Sequence, residues 1–187
     1  MYTIKDNISH EIEIKKSRFI CNLIKINNLD EVDYYLEKIK EEHKFSKHNC
    51  YAYILGNNKK ASDDKEPSGT AGRPMLNLLE VNELDHILAI TTRYFGGIKL
   101  GVGGLLRAYV TVLKEAIDEA NIIEIKKQYK YKIKLDYKDI KFIENSFNDN
   151  ITKKDFNNDI IYEIVTFDDI DEILNGKNIK IIDKEEI

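Results

Sequence analysis

The chain has 187 residues, of which 42% are hydrophobic and 33% charged, and a formal charge of −4. That is long enough for one or two domains with a real core, and it lacks the basic excess that generic nucleic-acid binding normally shows. No apolar run approaches a membrane span of about 18 residues, no apolar signal core opens the chain, and two cysteines, Cys21 and Cys50, make no disulfide framework, so a soluble cytoplasmic protein with reduced thiols is expected.

Ile8–Ile14 alternates apolar and polar residues (ISHEIEI), which predicts a half-buried strand, and Ser17–Ile26 follows as a second strand after a Lys-Lys turn. Leu29, Val32, Leu36 and Ile39 recur at helical spacing, so residues 29–43 are predicted as an amphipathic helix capped by Asn28. Tyr51–Leu55 reads as a short strand, and the polar stretch Gly56–Pro67 as an exposed loop. A helix is expected over Met75–Glu83, a buried strand over Ile87–Tyr94, a long helix within Gly101–Ala120 and a strand over Ile122–Lys126.

The composition then shifts. Residues 1–127 carry 19 basic and 19 acidic side chains, whereas 128–187 carry 10 and 14. A domain boundary is placed near Lys126–Tyr129, giving domains 1–127 and 128–187. The second reads as strand Tyr129–Tyr137, helix Lys138–Phe147, strands Ile151–Phe156 and Ile160–Thr166, helix Phe167–Leu174 and strand Asn178–Ile182. That βαββαβ order is the ferredoxin-like split unit, so the fold class is α+β.

Two stretches hold most of the unusual residues: DKEPSGTAGRP (64–74) and TTRYFGGIKLGVGGLLRAY (91–109). Seven of the nine glycines and three of the four arginines lie there, in a chain that otherwise uses lysine. Arginine supplies a planar fork of donors that lysine cannot. In the second stretch Gly96, Gly97, Gly101, Gly103 and Gly104 free backbone N–H groups before a helix, and Arg93, Lys99 and Arg107 surround them. A helix N-terminus in that setting suits an anion. The alternative is that these glycines make tight turns and close helix packing. The stretch is neither a Walker A loop nor a dinucleotide fingerprint.

In the first stretch Ser68, Gly69, Thr70, Gly72 and Arg73 suggest a second anion-holding turn, or a rigid turn before the helix at 75. Asp63, Asp64 and Glu66 read as a solvated acidic loop rather than a Mg²⁺ site. Tyr94 and Phe95 either stack on bases or end a buried strand. His48 and Cys50 share a strand face, but no third group orients them as base and nucleophile, and an inert half-buried thiol is the simpler account. No cofactor, metal or catalytic residue is assigned.

Taken together, SRFI (17–20), HNCYAY (48–53), DDKEPSGTAGRPML (63–76) and TRYFGGIKLGVGGLLRAY (92–109) resemble the YigZ/IMPACT family. One departure is Lys65, where the family usually has glycine. The resemblance implies an N-terminal domain with the ribosomal-protein-S-five domain-two-like fold, shared with domain IV of elongation factor G and with GHMP kinases. It implies a C-terminal domain similar to the last domain of elongation factor G. Eukaryotic relatives are implicated in restraining a starvation-response kinase that phosphorylates a translation initiation factor. The expectation is therefore a non-enzymatic, translation-associated regulator that binds RNA, the ribosome or a protein partner through the Gly/Arg-rich surface, with a plain protein–protein adaptor that uses the same face without any anion as a third reading. The rival is an enzyme or sensor of a small phosphate-containing ligand. No membrane partner is expected.

Overall fold

A computed structural model describes residues 1–126, 128–177 and 179–187. Two compact units emerge, Met1–Ile125 and Lys126–Ile187. Residue 127, at the predicted domain boundary, and residue 178, the first of the last predicted strand, lie outside the described residues.

The first unit is built on a five-stranded antiparallel sheet. Its strands are β2 (Ile8–Ile14), β3 (Ser17–Lys25), β4 (His48–Leu55), β5 (Asn58–Ser62) and β6 (Ile87–Tyr94), in the order β2-β3-β6-β4-β5. The side-chain period of two divides the sheet's residues between two cores. Phe19, Cys21 and Leu23, Cys50, Ala52 and Ile54, and Ile87 and Ala89 face helices α2 (Gly72–Val81) and α3 (Val102–Glu119). Ile24, Ile26, Leu88 and Ile90 face Val32 and Ile39 of α1 (Leu29–Glu42). Helices cover both faces, so the central strand β6 is buried along nearly its whole length. Asn28 caps α1 as predicted, its side chain accepting the Glu31 N–H at 3.0 Å.

Two elements escaped the sequence. The predicted loop Gly56–Pro67 contains β5, whose register runs from Leu55↔Asn58 to Tyr51↔Ser62. Asn-Lys-Lys-Ala-Ser carries no apolar signal, but an edge strand needs only backbone pairing, and edge lysines discourage further strand addition. The N-terminal β1 (Tyr2–Ile4) pairs with β7 (Ile122–Glu124) as a separate two-stranded ribbon. Three apolar or polar residues are too few to show a period.

The second unit contains β8 (Tyr129–Leu135), α4 (Ile140–Phe147), β9 (Ile151–Asp155), β10 (Ile160–Thr166), α5 (Asp171–Gly176) and β11 (Lys180–Glu186). Its sheet is antiparallel in the order β11-β8-β10-β9, with Tyr131, Ile133, Tyr162, Ile164, Ile143 and Leu174 in its core. Helix α5 starts at Asp171 rather than Phe167. Asp169 causes the delay: its carboxylate accepts the Tyr131 hydroxyl (2.7 Å) and the Asp171 N–H (3.0 Å), and so holds the segment before α5 in a turn.

Candidate functional site

Strand β6 carries Ile87, Ala89, Thr91 and Arg93 on the face that meets α3, so Arg93 arrives at the end of the sheet next to the first turn of that helix. It is buried, with 7% of its surface exposed. Its Nη1 donates to Glu66 Oε1 at 2.6 Å, and its guanidinium lies 5.5 Å from the Phe19 ring and 5.6 Å from the Phe95 ring. The Tyr109 hydroxyl, on α3, donates to the same Glu66 oxygen at 3.0 Å. Glu66 is thereby a buried partner, not part of a solvated acidic loop. Arg93, in turn, is no open surface charge.

The first glycine-rich stretch is also accounted for internally. The Asp63 carboxylate accepts the backbone N–H groups of Gly69 (2.8 Å), Ala71 (2.9 Å) and Gly72 (2.9 Å). Burial by itself would raise the Asp63 carboxyl, but these donors outweigh it and hold it below the usual carboxylate range. The backbone donors of this turn are thus taken up by a side chain of the same chain. Thr70 is buried, its hydroxyl donating to the Pro67 carbonyl at 2.6 Å, while Ser68 and Arg73 are exposed on the outside of the turn. A Cβ on Gly72 would lie 2.6 Å from the Ser62 nitrogen, so this glycine serves close packing of α2 on β5. Asp64 is engaged too, accepting the Asn49 N–H at 2.6 Å through its side chain and the His48 Nδ1–H at 2.8 Å through its carbonyl.

The second stretch divides. A Cβ on Gly96 would lie 1.9 Å from the Lys16 backbone, and one on Gly104 2.9 Å from Leu100 Cβ, so these two are packing glycines. Gly97 and Gly101 shape the loop, Gly101 at φ +73° just before α3. Gly103 faces open space, apart from Arg107 Nη1 at 3.6 Å, so Arg107 does lie back over the helix start. Tyr94 turns elsewhere, its hydroxyl meeting His43 Nδ1 at 2.9 Å and its ring lying under Arg18.

Of the residues named from sequence, Arg93, Phe95, Lys99 and Gly101 line one cavity of about 400 Å³. Lys47, His48, Glu66 and Pro67 join them from the β4 side, and Leu100, Val102 and Leu105 make the apolar wall. Lys47 and Glu66 were not foreseen as lining residues. The signal for Glu66 was a buried-face arginine in need of a partner; for Lys47 there was none. Arg73, Ser68 and Arg107 do not line this cavity. Cys50 is fully buried beneath it, its thiol donating to the Asp63 carbonyl at 3.0 Å, and burial pushes its pKa up to about 12. A thiol of that kind is no nucleophile.

The Impact N-terminal domain family matches residues 15–117, a span that runs from β3 into α3 and includes every residue of the cavity. The chain belongs to the IMPACT family. The IMPACT family member YvyE of Bacillus subtilis (strain 168) is 45% identical over 147 residues, 77% of this chain and 68% of its own length. YigZ of Escherichia coli (strain K12), also an IMPACT family member, is 35% identical over 137 residues, 71% of this chain and 67% of its own. A crystal structure described as that of a hypothetical protein superposes with a TM-score of 0.73 at 26% identity, covering 96% of this chain and 95% of that one. Lys65 has φ +69°, in the left-handed region where glycine is the unstrained choice. Among the described residues no helix is long and apolar enough to cross a membrane.

Proposed function

We propose that this protein is a cytoplasmic, non-catalytic regulator associated with translation, which works by holding a protein partner on the face where the 96–104 loop meets α3. The translational setting follows from family membership. The mode of action rests on one observation: Phe95, Ile98, Val102 and Leu106 are 51%, 44%, 62% and 40% exposed within 12 residues, beside Lys99 and Arg107. Val102 and Leu106 are one helical turn apart and share a side of α3. Large apolar side chains rimmed by charge mark an interaction surface. The balance favours a protein over RNA, because Arg93 is neutralised by Glu66 and the chain as a whole carries a net charge of −4.

The two units are inferred to be a ribosomal-protein-S-five domain-two-like domain, residues 1–127, and a ferredoxin-like domain, residues 128–187. The strand order β11-β8-β10-β9 in the second supports that assignment. A fragment ending at residue 127 should then unfold cooperatively on its own.

The test is co-purification and ribosome sedimentation of wild type and Leu106→Asp across a salt series, with and without nuclease. A protein partner gives an association that survives nuclease, changes little with salt and is lost in the variant. A salt-steep, nuclease-sensitive association makes RNA the target instead. No association at all, or one indifferent to Leu106→Asp, ends the reading of this face.

A further inference from the structure

We propose that the cavity at the start of α3 is a binding site for a small molecule with an anionic oxygen head, phosphate or carboxylate, on an apolar body. It shares Phe95, Lys99 and Val102 with the partner-binding face but reaches inward from it to Arg93, Glu66 and Leu105, and Leu106 lies outside its lining.

Three observations converge there. Helix α3 is 18 residues long and begins at Gly101-Val102-Gly103-Gly104, where the first intrahelical bond runs from Leu105 N to Gly101 O. The N–H groups of Val102, Gly103 and Gly104 therefore have no intrahelical acceptor, no side chain among the described residues caps them, and the first turn holds no acid. A long helix normally finds Ser, Thr, Asp or Asn for this purpose. Here Gly101, at φ +73°, cannot be replaced by any of these without backbone strain.

Arg93 is the second, independent observation. It is more than nine-tenths buried and lines the same cavity, and its Nε–H, closed off from solvent beneath that lining, has no acceptor among the described residues. Glu66 takes only Nη1. A buried donor without an acceptor is costly unless something supplies one. The third observation is charge. Lys47, Arg93 and Lys99 line the cavity against a single carboxylate, Glu66, and neither Lys47 nor Lys99 has an ion-pair partner among the described residues.

The remainder of the lining sets the body of the ligand. Phe95, Leu100, Val102 and Leu105 form an apolar wall, and about 400 Å³ holds a molecule the size of one aromatic ring plus its head group. A neutral apolar molecule would leave the uncapped N–H of Val102 and the charges of Lys47 and Lys99 unmatched. A bare inorganic ion would leave the wall uncovered. An oxyanion carried on a ring or short aliphatic chain satisfies both.

The experiment measures melting temperature and Kd for the full chain with phenyl phosphate, phenylacetate and benzyl alcohol, which share a ring and differ in the head. At least one of the two anions should raise the melting temperature with concentration, while benzyl alcohol does not. The anion that acts identifies the head. Gly103→Asp is the main variant, because a Cβ at position 103 meets only the end of the Arg107 side chain, at 3.6 Å, and an acid in the first turn supplies an internal anion. It should weaken the anion by at least about tenfold, whereas Gly103→Asn, of the same shape without the charge, keeps most of the binding. Lys99→Ala, exposed and outside the core, should weaken it about fivefold. The proposal is overturned if neither anion acts, if benzyl alcohol acts equally, or if Gly103→Asp responds like Gly103→Asn. A lost response to Leu106→Asp in partner capture, with the phenyl phosphate response intact, separates failure of the outer face from failure of this site.

Discussion

The two glycine-rich stretches look alike in sequence and end in opposite states. In residues 63–73 the backbone donors close on Asp63, a carboxylate from the same loop. In residues 96–104 the donors at the start of α3 have no side-chain cap among the described residues, and the one acid lining the cavity beside Val102, Glu66, is already taken by Arg93 and Tyr109. Glycine and arginine at an anion-shaped turn therefore do not say whether the anion comes from outside. That depends on whether a carboxylate a few residues away can reach the turn. Asp63 precedes Gly69 by six residues and folds back onto it. Nothing acidic occurs between Asp85 and Glu115.

The largest effect should come from the pair that joins the two stretches. Glu66 and Arg93 side chains are 3% and 8% exposed. Glu66→Ala leaves a buried guanidinium and the Tyr109 hydroxyl without their shared acceptor, and should cost about 3–5 kcal/mol in denaturant unfolding. A loss below about 1 kcal/mol would mean that water reaches Arg93 freely, and the contrast between a closed and an open region would weaken.

Asp63→Ala comes next. It removes the acceptor of three N–H groups in a partly exposed loop, and should cost about 2 kcal/mol. The same contact has a pH signature. The folded Asp63 carboxyl lies below its ordinary value of 3.8, so its contribution is present above that value and lost as pH falls through the lower folded value. Asp63→Asn should remove that acid-side sensitivity. If instead it leaves the acid unfolding curve unchanged, the loop is not held by its carboxylate.

Much of this was legible in sequence and some was not, for definable reasons. Residues 87–94 and 102–119 were readable because period and apolar content agreed, and the βαββαβ order of the second unit followed from clean alternation in segments such as YKYKIKL. Strand β5 was invisible because Asn58–Ser62 is held by ladder bonds alone. Arg93 could have been placed inward by counting by twos from Ile87. What sequence could not give was its partner, since Glu66 lies 27 residues earlier, in the segment between β5 and α2.

Lys65→Gly tests the closed loop from the opposite direction. Lys65 occupies φ +69° next to Asp64 at +36°, so the wild-type loop carries backbone strain in the segment that delivers Asp63 and Glu66. Glycine relieves it, partly offset by the greater freedom of the unfolded chain, for a net gain of about 0.5–1 kcal/mol. That corresponds to a rise of roughly 2–4 °C in melting temperature. No rise would place the strain in the sequence pattern rather than in the energetics.

The smallest effect lies at the far end of α3 and serves as the control on its near end. His10, on β2, meets Glu115 at 2.9 Å through Nε2 and Glu119 at 3.1 Å through Nδ1, both in the last turns of the helix. Burial pulls the imidazole down, but the two carboxylates outweigh it and leave its pKa raised above 6.5. A raised histidine stabilises most below the unfolded value and loses that contribution as pH rises through the folded one. Melting temperature should therefore drop slightly from pH 6 to pH 8, and His10→Gln should flatten the drop. The two ends of α3 are about 25 Å apart by helix rise, well beyond a Debye length at physiological salt. His10→Gln should accordingly leave the phenyl phosphate response of the N-terminal cavity untouched. If it shifts that response, the helix N-terminus is not acting locally through its own uncapped donors.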